Sequence, residues 1–258
     1  MKLNIIYNKT ISDYKKTLNQ IEELLIRKSI EFKSFEIDNM SVFGELSLVI
    51  GGDGTLLKAA KYYSQFQTPV LGINIGRLGF LSQGININDI IERIIDKNYS
   101  IEERLMLISG NKLALNDFVI KGCNSSRTSK FYLEINGECV CDYIADGLII
   151  ATPTGSTAYG LSAGGPVIYP TLDAIVIVPI CPHTLNARPL VVPACETLTV
   201  KTGENLLSVS NDGFETETCI EKITIKTAPK KAKLAFLNSG GFYKILRDKL
   251  HWGISEAK

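Results

Sequence analysis

An α/β N-terminal domain followed by an all-β, sandwich-like C-terminal domain is the fold class this 258-residue sequence predicts. Three observations carry that prediction. Up to about residue 100, apolar runs of strand length alternate with segments of helical period. From Ile101 onward the period changes to two and stays there. After Leu237 a closing segment returns to helical spacing. The expected division is therefore 1–100, 101–237 and a tail, 238–258, that must pack on something.

The elements follow in order. Leu3 to Tyr7 reads as a first strand, and Ser12 opens a helix with Leu18, Ile21, Leu24 and Leu25 on one face. Phe32, Phe35 and Ile37 mark a second strand. Leu46 to Ile50 is a third and runs into Gly51-Gly52-Asp53-Gly54-Thr55, after which Leu56, Leu57 and Ala60 begin another helix. Thr68-Pro69 breaks that helix, and Val70 to Ile75 reads as a buried strand. Gly76 to Leu81 (GRLGFL) is a glycine-flanked loop where a backbone can approach a ligand. Asn88 is the expected cap of a helix that packs Ile90, Ile91, Ile94 and Ile95 inward.

In the second part, strands are expected over Glu103 to Ser109, Lys112 to Ile120, Lys130 to Cys141, Gly147 to Thr152 and Ala174 to Pro179. Later ones follow at Thr197 to Thr202, Leu207 to Ser210, Lys222 to Lys226 and Ala232 to Leu237. Asn136-Gly137 between two alternating runs predicts a hairpin with a type I′ turn, because that dipeptide accepts positive φ at both central positions. Phe242, Ile245, Leu246 and Lys249 predict a short amphipathic helix in the tail.

Composition narrows the function classes. Lys plus Arg number 28 against 27 acids, a net charge of +1, with no long basic tract to follow a nucleic-acid backbone. Met1 to Tyr7 lacks the apolar core and cleavage site of a secretory leader, so the chain is expected to stay in the cytoplasm. No apolar run approaches the ~20 residues a membrane helix needs. The six cysteines form no C-x-x-C pair and there are two histidines, which argues for reduced thiols and against a zinc site. Neither nucleic acid nor membrane is an expected partner.

Two stretches carry chemistry. A strand, a glycine turn and a helix start present outward-facing N–H groups to phosphate, and Asp53 lies within that turn. A carboxylate there either takes a proton or helps hold a metal ion beside the phosphates, or it simply caps the helix; on the turn alone both readings stand. The second stretch, Asp146 to Pro166, runs from a strand into six hydroxyl residues (Thr152, Thr154, Ser156, Thr157, Tyr159, Ser162) interleaved with glycines. Small residues let a ligand lie against the backbone, and hydroxyls supply donors and acceptors for ribose or a heterocycle edge. A connection with ordinary caps is the competing structural reading. Asn116-Asp117 interrupts an alternating strand, as a bulge aimed at a site or as a β-turn. His183, between prolines, reads as a loop histidine. Walker, dinucleotide G-x-G-x-x-G, H-E-x-x-H and G-x-S-x-G patterns are absent.

Together, Gly51 to Thr55, Asn116-Asp117, Asp146 through Tyr159 and Gly164-Gly165-Pro166 resemble the signature set of bacterial NAD kinases. GRLGFL and Cys181 to Pro193 (CPHTLNARPLVVP) fit the same family. The glycine-aspartate turn alone is shared with lipid, sphingoid-base and sugar-phosphate kinases; TPTGSTAY with the Asn-Asp pair makes the match specific. The resemblance implies a two-domain fold with the site in the cleft between the domains and the tail returning to the first. It implies ATP as phosphoryl donor, NAD as substrate, a divalent cation (Mg2+ or Mn2+), and a homodimer or homotetramer. It makes Asp53 the general base for the 2′-hydroxyl of the adenosine ribose, with Gly52, Gly54 and Thr55 near phosphates. Asn116 and Asp117 would bind the ribose and diphosphate region. Thr157, Ala158, Tyr159 and Ser162 would line the adenine pocket, with Phe80 as a wall. Asp146, from a neighbouring subunit, would meet the nicotinamide amide. Two positions depart from the family pattern: Ile144 stands where many members carry arginine, and Phe214 where glutamine is frequent.

Two other classes compete. A lipid or sphingoid kinase would explain the glycine turn but not TPTGSTAY. A non-catalytic dinucleotide sensor would explain the pocket residues but not Asp53.

Overall fold

The computed structural model describes residues 1–75, 79–83, 86–123, 128–184, 186–203, 206–237 and 241–252, and every structural statement below concerns those residues. Arg77, in the glycine-flanked loop, where it could meet phosphate or stand as an ordinary exposed arginine, lies outside them. The chain forms two compact units, Met1–Glu103 with Lys233–Lys258, and Arg104–Ala232.

In the first unit, β1 (Lys2–Tyr7), α1 (Tyr14–Arg27), β2 (Glu31–Glu36), β3 (Leu46–Ile50), α2 (Asp53–Ser64), β4 (Val70–Ile73), β5 (Ser82–Gln83), α3 (Ile87–Ile95) and β6 (Ser100–Arg104) follow one another. Leu46–Ile50 and Val70–Ile73 are buried at every position, which is why both read as mostly apolar runs, with Ser47 the one polar residue between them. Each fully buried Leu or Ile contributes roughly 1.5–3 kcal/mol. Leu18, Ile21 and Leu25 of α1 are buried at the spacing the sequence predicts. The cap of α3 is a correction. Asn86, not Asn88, accepts the Asp89 N–H at 3.2 Å, and Asn88 sits inside the first turn.

Strands β1 to β4 pair in parallel in the order β2-β1-β3-β4. The chain leaves β1 for β2 on one side and then returns to place β3 on the other. That reversal makes the carboxyl ends of β1 and β3 a topological switch point, where open α/β sheets hold their ligands. The loop after Tyr7 and the glycine turn after Ile50 meet there: the Asn8 amide donates to the Thr55 hydroxyl at 3.5 Å.

The second unit comprises β7 (Leu107–Ser109), β8 (Lys112–Ala114), β9 (Asp117–Gly122), β10 (Ser129–Ile135), β11 (Glu138–Ala145), β12 (Gly147–Ala151), a short 3₁₀ turn (Gly155–Thr157) and α4 (Tyr159–Ser162). It continues with β13 (Ala174–Ile180), β14 (Leu190–Pro193), β15 (Leu198–Thr202), β16 (Leu207–Asn211), β17 (Glu215–Ile220) and β18 (Lys222–Thr227). Two sheets result, β11-β10-β15-β18-β7-β8 and β14-β13-β12-β9-β16-β17. Phe131, Leu133, Val200 and Ile225 from one meet Phe118, Ile120, Leu148, Ile177 and Val209 from the other in a shared core. This is the expected sandwich. The predicted hairpin closes β10 on β11 with Ile135 opposite Glu138, and Asn136 and Gly137 take φ of 52° and 85°.

Two strands at the margins of the expected second domain belong to the first unit's sheet. One is β6; the other is β19 (Ala232–Phe236), whose Leu234 pairs in parallel with Val70. The tail then forms α5 (Gly241–Leu250), with Leu246 buried. Among the described residues no helix is long and apolar enough to cross a membrane.

Candidate active site

One candidate site, in the first unit, is built on the start of α2. Gly52 holds the N-cap position in extended conformation and supplies no side-chain cap, so the N–H groups of Asp53, Gly54 and Thr55 have no helical acceptor. Gly52 and Gly54 are exposed, and Thr55 is buried. Asp53 is not the helix cap that one sequence reading allowed. Its carboxylate reaches across to the segment Phe80–Ser82: Oδ2 accepts the Phe80 N–H at 2.7 Å, and Oδ1 accepts the Leu81 N–H at 3.2 Å and the Ser82 hydroxyl at 3.1 Å. A Cβ at Gly79 would overlap Oδ1, so that position admits only glycine without movement. An ionised carboxylate offers about four lone-pair positions. Oδ1 has both engaged and Oδ2 has one, which leaves a single acceptor position on Oδ2 among the described residues. Phe80, expected as a wall, is therefore tied to Asp53 through its backbone.

A second candidate site, in the second unit, lies on the outer face of the β14-β13-β12-β9-β16-β17 sheet. Residues 155–168 cover part of that face, packing Ala163 and Ile168 against Ile149, Ala151, Val176 and Val178. Where the cover stops, a cavity of about 480 Å³ opens, lined by Asn116, Asp117, Ala158, Tyr159, Asp212 and Gly213, with Val119, Lys121, Ser208 and Ser210 as its floor. Asp117, Val119 and Lys121 alternate along β9, and Ser210 and Ser208 stand opposite Val119 and Lys121 in register, which puts all five on one face.

Asn116 and Asp117 are fixed from both sides. The Asp212 carboxylate accepts the N–H groups of Leu115, Asn116 and Asp117 at 3.0, 2.7 and 3.1 Å. The Thr152 N–H donates to the Asn116 carbonyl at 2.8 Å, and the Thr152 hydroxyl to the Leu115 carbonyl at 2.6 Å. With its N–H and C=O groups so engaged, the segment cannot continue a ladder. The strand expected over Lys112 to Ile120 is accordingly split into β8 and β9, which lie in different sheets, and Asn116-Asp117 is neither the bulge nor the β-turn the sequence suggested. Gly155 completes the arrangement, since a Cβ there would run into the Asn116 carbonyl.

Burial, with the Asp212 carboxylate adding to it, pushes the Asp117 carboxyl up to about 7. Asp117 is 4% exposed and faces the cavity, so it exchanges a proton near neutrality where an exposed aspartate would not.

The hydroxyl-rich stretch divides its labour. Thr152 and Ser156 are consumed internally: Gly155 N–H donates to the Thr152 hydroxyl, the Ser156 hydroxyl donates to the Pro153 carbonyl, and the Ile168 N–H returns to it at 2.9 Å. The Thr157 hydroxyl donates to the Thr154 carbonyl at 3.3 Å. Ala158 and Tyr159 line the cavity. Thr157 and Ser162 are not among its lining residues, and Ser162 is exposed on α4. Asp146 is exposed between β11 and β12, also away from the cavity lining. His183 donates its N–H to the Ile144 carbonyl, the single backbone bond expected of it. Sequence reading missed Lys121, Ser208 and Ser210, whose signal was the alternation along β9 and β16, and the role of Asp212. Asp212-Gly213, with φ of 49° and 71°, was a hairpin-turn dipeptide in plain view.

One unit is a parallel sheet carrying an uncapped glycine turn, and the other is a sandwich carrying a polar cavity. The models of the ATP-NAD kinase N-terminal domain and C-terminal domain match residues 9–99 and 115–237. The chain is 42% identical over 225 residues to an NAD kinase of Pseudomonas putida, covering 81% of this chain and 76% of that protein. An NAD kinase of Pseudomonas paraeruginosa is 42% identical over 226 residues, with the same coverage. Among solved structures, an NAD kinase from Archaeoglobus fulgidus in complex with ATP matches with TM-score 0.80 at 26% identity, over 97% of this chain and 99% of that one. A yeast NADH kinase complexed with NADH shares the fold, with TM-score 0.83 at 23% identity over 100% of this chain and 89% of that one. The chain belongs to the ATP-NAD kinase family.

Proposed function

We propose that the chain transfers the γ-phosphoryl group of ATP to the 2′-hydroxyl of the adenosine ribose of NAD, giving NADP and ADP. The observation that carries this reading is the Asp53 carboxylate, held by three donors with one acceptor position left on Oδ2. Asp53 takes the proton of the 2′-hydroxyl as the new oxygen–phosphorus bond forms and the bond to ADP breaks. A carboxylate is too weak a base to ionise that hydroxyl beforehand, so it acts while the bond forms, and its fixed orientation matters more than its basicity. Phosphoryl transfer is driven by positioning and by dipoles around the transferring group. Gly52, Gly54 and Thr55 supply backbone N–H groups for phosphates at the start of α2. Asn116, Asp117, Ala158 and Tyr159 hold the dinucleotide, with Phe80 walling the adenine.

In this reading residues 1–100 handle the triphosphate, 101–237 the dinucleotide, and the tail supports the first domain. A divalent cation enters on the ATP phosphates, where it would neutralise charge on the transferring group. The enzyme works in the cytoplasm as a homodimer or homotetramer, in which Asp146 of one subunit serves the nicotinamide of its neighbour's dinucleotide.

The test is an assay of purified protein with NAD, ATP and magnesium. NADP formed in step with ADP supports the proposal. Tight NADP binding without turnover would make the chain a sensor, and phosphorylated lipid without NADP would make it a lipid kinase.

A further inference from the structure

The turn between β16 and β17 makes no direct claim on the chemistry, yet it grips the residues that do. Three successive N–H groups, of Leu115, Asn116 and Asp117, converge on the Asp212 carboxylate, and the Asp212 N–H itself donates to the Asp117 carbonyl at 2.9 Å. The preceding residue repeats the grip, with the Asn211 amide donating to the Leu113 carbonyl at 2.9 Å. Asp212 achieves this at φ 49°, a left-handed conformation that aspartate tolerates better than most residues. Its carboxylate also lines the same cavity as Asp117.

We infer that Asp212 is the positioning residue of the dinucleotide site: it sets the backbone of Asn116 and Asp117 and stands with Asp117 at the same cavity. The inference rests on the reading that Asn116 and Asp117 bind NAD. Three backbone donors fix where the Asp212 carboxylate lies. Burial first, and the neighbouring Asp212 second, raise the Asp117 carboxyl, so it retains its proton toward neutrality and can donate a hydrogen bond to a ribose or phosphate oxygen. The other titratable side chains facing Asp117 around the cavity are Lys121, further along β9, and Tyr159 from α4. On the β12 side its register partner is Ala151, which carries no charge.

Steady-state rates of the full-length Asp212→Asn and Asp212→Glu variants, taken against NAD and ATP separately over a range of pH, test this. Asp212→Asn removes the charge and one acceptor. Its KM for NAD should rise about tenfold or more while KM for ATP stays within about twofold. The pH inflection in kcat/KM for NAD should move to lower pH. Asp212→Glu keeps the charge and misplaces the grip, so KM for NAD rises while the inflection stays near its original pH. An unmoved inflection in Asp212→Asn, or a parallel rise of both KM values, would overturn the inference. So would failure of both variants to fold by circular dichroism. Asp117→Ala in the same assay separates the two levels: an unchanged KM for NAD there would remove Asn116-Asp117 from the binding site, whereas a raised one beside inert Asp212 variants would sink the role of Asp212 alone.

Discussion

Oδ2 of Asp53 receives the Phe80 N–H at 2.7 Å, joining the first residue of α2 to a segment 27 positions further along the chain. With Leu81 and Ser82 on Oδ1, that bond leaves the carboxylate one direction in which to accept a proton. The geometry of the turn therefore depends on the loop that faces it as much as on its own glycines.

Gly79→Ala tests that dependence. The new methyl group would overlap Oδ1 of Asp53, and both the loop and the carboxylate would have to move. Overpacking of this kind costs about 1–3 kcal/mol in stability. In the proposed role of Asp53 as base, its displacement also costs on the order of 10²-fold in kcat. Thermal denaturation and initial rates measured together should show a large loss of rate for a small loss of stability. Ser82→Ala, which deletes one of the three donors, should have a much milder effect.

Gly155→Ala acts on the second candidate site. A Cβ at this position meets the Asn116 carbonyl, the group that accepts the Thr152 N–H. Its KM for NAD should rise with little change in KM for ATP, again with about 1–3 kcal/mol of destabilisation. An ATP-specific defect instead would show that Asn116 serves the other nucleotide.

The Asp117 carboxyl makes stability depend on pH. Burial and then Asp212 raise it from 3.8 to about 7, so between those values the folded chain keeps a proton that the unfolded chain has released. Its contribution to stability is complete below pH about 4 and is lost as the pH rises toward 7. Urea midpoints for Asp117→Asn should fall less steeply over that window than those of the wild type. Parallel slopes would mean that this carboxyl titrates normally.

Much of this architecture was legible before any coordinates. Leu46–Ile50 announced a buried parallel strand because both of its faces are covered, and Asn136-Gly137 announced its hairpin because few dipeptides take positive φ twice. The split of Lys112 to Ile120 was not legible, since two polar residues inside an alternating run suit a bulge or a turn as well as a break, and the groups that remove the Asn116 backbone from any ladder, Asp212 and Thr152, are distant in sequence. The hydroxyls of Thr152 and Ser156 were likewise ambiguous. Their residue type fits ligand or backbone equally, and only the fold shows that both are spent on the loop itself. Asn86 displaced Asn88 as helix cap because two asparagines flank one isoleucine and spacing alone does not choose between them.

The account stands most directly on the turnover of Asp53→Asn with NAD, ATP and magnesium, followed as NADP formed. The amide keeps an acceptor for Leu81 and Ser82 but puts nitrogen, which takes no proton, where Oδ2 stood. The account predicts a folded protein that binds NAD with near wild-type affinity and has lost roughly 10²–10⁴-fold in kcat. NADP formation within a few-fold of the wild-type rate would contradict it.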